Sequence, residues 1–105
     1  MEKVWHVGLI SFKPDVSVSA REAVLNKLKA LGEDCGGEKA GILFWATEEN
    51  MDLRKNIHLV ELSAFKNYAS LQALREHPKH KEFGEMLSKI ADWWTGDIYA
   101  PMSPV

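Results

Sequence analysis

An α+β domain of the ferredoxin-like, split βαβ kind is predicted by three observations. Four short runs are rich enough in aliphatic, β-branched and aromatic residues to be strands. Two longer stretches repeat apolar residues at helical spacing. Their order is β-α-β-β-α-β, which folds as a four-stranded antiparallel sheet with its helices on one face.

Val4 to Phe12 reads as the first strand, ended by Lys13-Pro14-Asp15. Alternation places His6, Gly8, Ile10 and Phe12 on one face and Trp5, Val7, Leu9 and Ser11 on the other. Ser19-Ala20-Arg21-Glu22 fits a capping box, with Ser17 as the competing cap, and Val24, Leu25, Leu28 and Leu31 form the buried stripe of the helix that follows. Gly32 is its expected left-handed stop. After a short loop holding Cys35-Gly36-Gly37, Ala40 to Ala46 is the second strand, apolar on both faces, and Thr47 to Asn56 the exposed loop of a long hairpin. Ile57 to Ala64 is the third strand, with His58, Val60 and Leu62 on one face and Ile57, Leu59, Glu61 and Ser63 on the other.

Helical spacing returns at Tyr68, Leu71 and Leu74. Pro78 cannot donate a backbone hydrogen bond and biases His77 away from the α region, yet its fixed φ suits a helix start. One helix is therefore expected to end near Glu76 and another to begin at Pro78 and run towards Asp92. In the second, Phe83, Met86, Leu87 and Ile90 make one apolar stripe that also carries His80. Gly84 lies one turn beyond His80, where glycine costs roughly 1 kcal/mol of helix propensity relative to alanine, so a close approach by a backbone or a ligand is expected there. Trp93 to Tyr99 closes as the fourth strand, making a domain of residues 1–100 followed by a loose C-terminal arm, 101–105.

The 105 residues suit one domain, near the size at which partner subunits help bury surface. A net charge of -2 with no run of lysines or arginines argues against nucleic acid or an anionic membrane as partner. The chain shows no secretory signal and no 18-residue apolar span, and its lone Cys35 excludes an internal disulfide. A cytoplasmic protein is expected. Helices that cover one side of the sheet leave strands one and two with an apolar second face, too large a patch for a monomer. Two sheets stacked face to face in a homodimer resolve this, the rival being a monomer whose own arm folds over the patch.

Chemistry is expected at the histidines. His6 and His58 lie on what the split βαβ order makes the central, adjacent strands, and His80 points inward from the last helix. If the helices cover the face shared by His6 and His58, three imidazoles enclose one space, suited to holding and deprotonating an acidic carbon or a phenol. The competing reading is three core or rim histidines with satisfied nitrogens. His77-x-x-His80 has ligand-like spacing, but His77 precedes a proline and need not share a helix face with His80, so no metal is expected. Acidic Glu33 and Asp34 beside Cys35 raise rather than lower a thiol pKa. Trp45 and Trp93-Trp94 read as core or dimer-face residues, and Glu61 as either an interface hydrogen-bond partner or a solvated edge residue.

Four segments, His6-Val7-Gly8-Leu9-Ile10-Ser11-Phe12-Lys13-Pro14-Asp15, Ile57-His58-Leu59-Val60-Glu61-Leu62, His77-Pro78-Lys79-His80-Lys81-Glu82-Phe83 and Asp92-Trp93-Trp94-Thr95-Gly96-Asp97-Ile98-Tyr99, together resemble the stress-responsive dimeric α/β-barrel (Dabb) domain family over nearly the whole chain. The resemblance implies a ferredoxin-like monomer, a homodimer whose sheets form a barrel, and a pocket between helices and sheet. Most members have no established reaction. Plant polyketide-cyclase members close an aromatic ring by aldol condensation without a cofactor, using a tyrosine and the second histidine of a His-Pro-x-His motif. That histidine falls on His80, a candidate general base, whereas the tyrosine position falls on Leu74, and whether Tyr68 or Tyr99 replaces the phenol is open. His6 and His58 match cavity-lining positions, and Leu74, Phe83 and Gly84 complete the expected substrate-binding set. The expectation is a protein binding a small organic molecule without a cofactor. The alternatives are a carbonyl-directed enzyme using His80 and, by fold analogy, a monooxygenase-like or haem-handling relative.

Overall fold

The structure, a computed structural model, describes residues 2–100; the expected arm, 101–105, lies outside them. The elements are β1 (Val4–Phe12), α1 (Val18–Asp34), β2 (Ile42–Glu49), β3 (Leu59–Phe65), α2 (Tyr68–Glu76), α3 (Pro78–Ser88) and β4 (Ala91–Tyr99), with a short 3₁₀ turn at Gly37–Ala40. All neighbouring strands are antiparallel in the order β2-β3-β1-β4. This is the ferredoxin-like topology.

Alternate residues Val4, Ile10 and Phe12 of β1 pack under Val24, Leu28 and Leu31 of α1, Leu71 and Leu74 of α2, and Phe83 and Leu87 of α3. One core therefore fills the space between sheet and helices, and all three helices lie on one face. On the opposite face Val7, Phe44, Leu62, Trp94 and Ile98 stand exposed. Small Ala64 lies between Trp5 and Phe44 in the register, and their rings meet edge to face at 5.8 Å.

Several boundaries differ from expectation for identifiable reasons. Ser17, not Ser19, caps α1, its hydroxyl accepting from the Ala20 N–H at 3.2 Å. The helix continues through Gly32 to Asp34, and the left-handed residue that follows is Gly36, at φ 110°. Gly32 serves contact rather than termination, since a Cβ there would stand 2.8 Å from Trp45 Cδ2. Gly32→Val is expected to overpack this contact and cost about 1–3 kcal/mol, read as a lower urea midpoint at unchanged m value.

Strand β2 begins at Ile42, after the 3₁₀ turn, and runs through Thr47 to Glu49, so the hairpin loop is shorter than expected. A bulge between Ile42 and Phe44 resets its register and turns Trp45 inward, where its indole N–H donates to the Leu28 carbonyl at 2.9 Å. Strand β3 begins at Leu59, leaving Ile57 and His58 before it. Helix α3 stops at Ser88, so Ile90 belongs to the turn into β4, which starts at Ala91. The Pro78 break is as expected, and His77 is both the last cap of α2 and the first cap of α3. Among the described residues no helix is long and apolar enough to cross a membrane.

Candidate functional site

Between the helices and the sheet lies a cavity of about 300 Å³. Its floor is the inner face of the sheet: His6, Gly8 and Ile10 of β1, Glu61 of β3, and Trp93 and Thr95 near the edge. Leu28 and Leu31 of α1 and Leu71 and Leu74 of α2 make an aliphatic wall. Helix α3 contributes His80, Phe83, Gly84 and Leu87, one face at helical spacing. A Cβ at Gly84 would meet nothing within 4 Å, so no backbone approaches there. The missing side chain instead leaves the cavity wall open.

The polar groups converge on one side in a continuous string. Arg75 donates from Nη2 to Asp97 Oδ2 at 2.6 Å and from Nη1 to Gln72 at 3.1 Å. Asp97 Oδ1 lies 2.6 Å from His6 Nδ1, and His6 Nε2 lies 3.4 Å from Glu61 Oε2. The β-ladders produce this alignment, since His6 pairs with Asp97 on one side and with Ser63 on the other, while Gly8 pairs with Glu61. Gly8 leaves room for the carboxylate, because a Cβ there would stand 3.2 Å from Glu61 Oε2.

Burial alone would raise the Asp97 carboxyl, but the bonds from Arg75 and His6 outweigh it and hold the group below the usual carboxylate range. Burial likewise opposes the Arg75 charge, and the Asp97 carboxylate overrides it, keeping the guanidinium firmly protonated. Glu61 is the opposite case. Burial pushes its carboxyl up and the Asp97 charge adds to this, while Ser63 and His6 pull it down less strongly. The Ser63 hydroxyl stands beside Glu61 without completing a well-formed hydrogen bond, for Ser63 Oγ and Glu61 Oε1 are both buried and unpaired.

His80 lies in the first turn of α3, its N–H bonded to the His77 carbonyl at 3.0 Å. Burial lowers its pKa, and the nearness of His6, Arg75 and His77 lowers it further. A neutral imidazole in an apolar wall is the state a general base needs.

The structure brings together His6, Leu74, Phe83, Gly84 and His80 and leaves His58 out. The three-imidazole arrangement is thereby corrected to two. His58 precedes β3 at the end of the sheet, where its Nδ1 accepts from the Phe12 N–H at 2.9 Å and its own N–H donates to the Ile10 carbonyl at 2.8 Å. Its ring packs against Phe12, and burial lowers its pKa, with Arg21 nearby adding to the effect. His77 also has a structural task, its Nδ1 accepting from the Lys79 N–H at 3.1 Å. Among the described residues no three histidine, cysteine or acidic side chains are placed to hold a metal ion. Cys35 is buried at the end of α1, and burial, then Asp34, pushes its thiol up. Neither Tyr68 nor Tyr99 lines the cavity; both flank a separate surface cleft. Leu74 is simply part of the apolar wall.

Sequence reasoning did not place Glu61, Asp97 or Arg75 in the site. Alternation did put Glu61 on the face opposite His58, and the missing piece was the register that sets Glu61 across from Gly8.

A family model for the stress responsive A/B barrel domain matches residues 4–98. Solved structures with the same fold include a dimeric protein of unknown function from Bacteroides fragilis, at 22% identity and TM-score 0.77 over 93% of this chain and 96% of that one. A Dabb family protein with a ferredoxin-like fold from Mesorhizobium loti matches at 14% identity and TM-score 0.78, over 98% and 100%. A hydroxynitrile lyase from Passiflora edulis matches at 13% identity and TM-score 0.81, over 97% and 96%. No curated protein matches the sequence significantly. With the family model spanning every strand and helix around the cavity, the chain belongs to the stress responsive A/B barrel domain family.

Proposed function

We propose that this protein binds a small organic molecule in the cavity between helices and sheet, as a homodimer joined through the outer faces of its sheets. One observation carries the binding reading: a cavity of about 300 Å³ with a mostly apolar lining and polar groups gathered on one side, the usual make-up of a small-molecule site. The ligand this suits has a planar apolar body, lying against Leu28, Phe83 and Leu87, and an oxygen function facing His80 and the Arg75–Asp97–His6–Glu61 string.

The homodimer is supported by the exposed apolar outer face and by the description of the Bacteroides fragilis neighbour as dimeric. A cytoplasmic setting fits the free, buried Cys35, and the absence of a basic run speaks against nucleic acid or membrane as partner.

A second reading, proton abstraction from the ligand by His80 without a cofactor, is favoured by the lowered pKa of that imidazole inside the cavity. The neighbour described as a hydroxynitrile lyase is compatible with it. The test of binding uses 4-nitrophenol, a planar probe whose ionisation is visible by colour. Wild-type protein is expected to bind it. Gly84→Leu, which fills open space and improves helix propensity by roughly 1 kcal/mol, is expected to melt higher and to lose the probe. Equal binding by both proteins contradicts the cavity as the site.

A further inference from the structure

Among the described residues Glu61 is the only acidic side chain that is buried, 6% exposed at the floor of the cavity. It reaches 3.4 Å from His6 Nε2 over the space left by Gly8. Asp97, held ionised by Arg75, accepts at 2.6 Å from the other ring nitrogen, so His6 carries a hydrogen on Nδ1. Nε2 and the Glu61 carboxyl then need one proton between them, since otherwise two sets of lone pairs face each other. Glu61 Oε1, the Ser63 hydroxyl and the hydroxyl of Thr47, the residue paired with Glu61 on β2, are all buried without a hydrogen bond. Of these three residues Glu61 alone lines the cavity, and its unpaired carboxyl oxygen marks the place for a polar partner there.

We propose that Glu61 is the proton donor of this site, sharing one proton with His6 and presenting it to an oxygen of the bound molecule while His80, on the wall of the same cavity, accepts a proton from the adjoining carbon. This deepens the proposed function and rests on it. The substrate class is an enolisable carbonyl compound. Its C–H bond breaks, the proton goes to His80, and the electron pair forms a carbon–carbon double bond. The carbonyl oxygen takes the Glu61 proton as a new O–H bond. His80 later releases its proton and the Glu61–His6 pair regains one from solvent, so the protein is unchanged.

The groups acting on Glu61 are Ser63 from its own strand, His6 from β1 and Asp97 from β4, with Arg75 of α2 bound to Asp97; His80 of α3 lines the same cavity, Thr47 of β2 pairs with Glu61 in the ladder, and α1 supplies only leucines to the cavity. Burial, with Asp97 adding to it, favours the protonated carboxyl, against the smaller pull of Ser63 and His6.

The deciding experiment is carbon-13 NMR of the protein labelled at its glutamate carboxyl carbons, with the Glu61 signal assigned by its loss in Glu61→Gln. In ligand-free protein it is expected to titrate above the exposed glutamates. A Glu61 signal titrating with the exposed glutamates overturns the proposal. With 4-nitrophenol, wild-type binding is expected to weaken as pH rises through the Glu61 midpoint. Glu61→Gln, whose amide still donates, is expected to bind without that step, and Glu61→Val to bind about tenfold more weakly. A step that survives in Glu61→Gln at a pH where the free probe's colour is unchanged places the donor elsewhere and overturns the proposal. Failure of the cavity reading is seen separately, as unchanged binding by Gly84→Leu, and leaves the ligand-free titration to decide where the proton is held.

Discussion

Val7→Asp is expected to convert the proposed sheet-stacked dimer into a folded monomer at micromolar concentration. Val7 lies at the middle of a central strand, paired with Leu62 on one side and Gly96 on the other, on the face away from the helices. Its side chain is 37% exposed in the single chain. In a stack of two sheets it is covered, and an unpaired carboxylate there costs on the order of several kcal/mol per ion. Two-fold symmetry applies that cost twice. Dimer affinity is therefore expected to fall by at least about a thousandfold. Sedimentation velocity reads the change, with circular dichroism confirming that the monomer keeps its fold. A dimer that persists unchanged, or a wild-type protein that sediments as a monomer, rejects the stacked-sheet arrangement.

His80→Phe is expected to remove the proposed proton abstraction and keep the fold. A positioned general base contributes about 10²–10⁴-fold to a proton abstraction, so any turnover is expected to fall by that much while the melting temperature at neutral pH stays close to wild type. The pH dependence of stability separates His80 from Glu61. Burial first, then His6, Arg75 and His77, depress the His80 pKa, so the folded state binds fewer protons there than the unfolded chain. Its contribution to stability is complete above the unfolded value of ~6.5 and is lost as pH falls through the folded one. Glu61 is raised by burial and has the opposite sign. Its contribution is complete below the unfolded value of ~4.3 and is lost as pH rises through the folded one. Urea midpoints across pH are expected to flatten on the acid side in His80→Phe and on the neutral side in Glu61→Gln. A large loss of neutral-pH stability in His80→Phe makes the imidazole a structural element instead.

The topology was legible because each signal was local. Pro78 separates two helical periods by chain chemistry alone, and the capping role of His77 follows from it. The site was half legible for the same reason. His80, Phe83 and Leu87 share a helix face by spacing, and Gly84 breaks propensity where the cavity opens. What spacing does not contain is register. His6 alternates onto the inner face, but its meeting with Asp97, and that of Gly8 with Glu61, is set by how strands far apart in sequence slide against each other. His58 shows the cost of not knowing it: placed beside His6 by strand adjacency, it has the opposite parity and caps the sheet end through the Phe12 N–H. Trp45 was misleading in another way, because a bulge between Ile42 and Phe44 decides which face it takes.

The most direct test of the helix-side binding site is an NMR titration of the amide-labelled protein with 4-nitrophenol. The account predicts that the signals of Gly8, Glu61, His80 and Gly84 move together with one affinity while those of Val7, Leu62 and Ile98 stay in place. Movement confined to Val7, Leu62 and Ile98, or no movement at Gly84 and His80 when the probe binds, contradicts it.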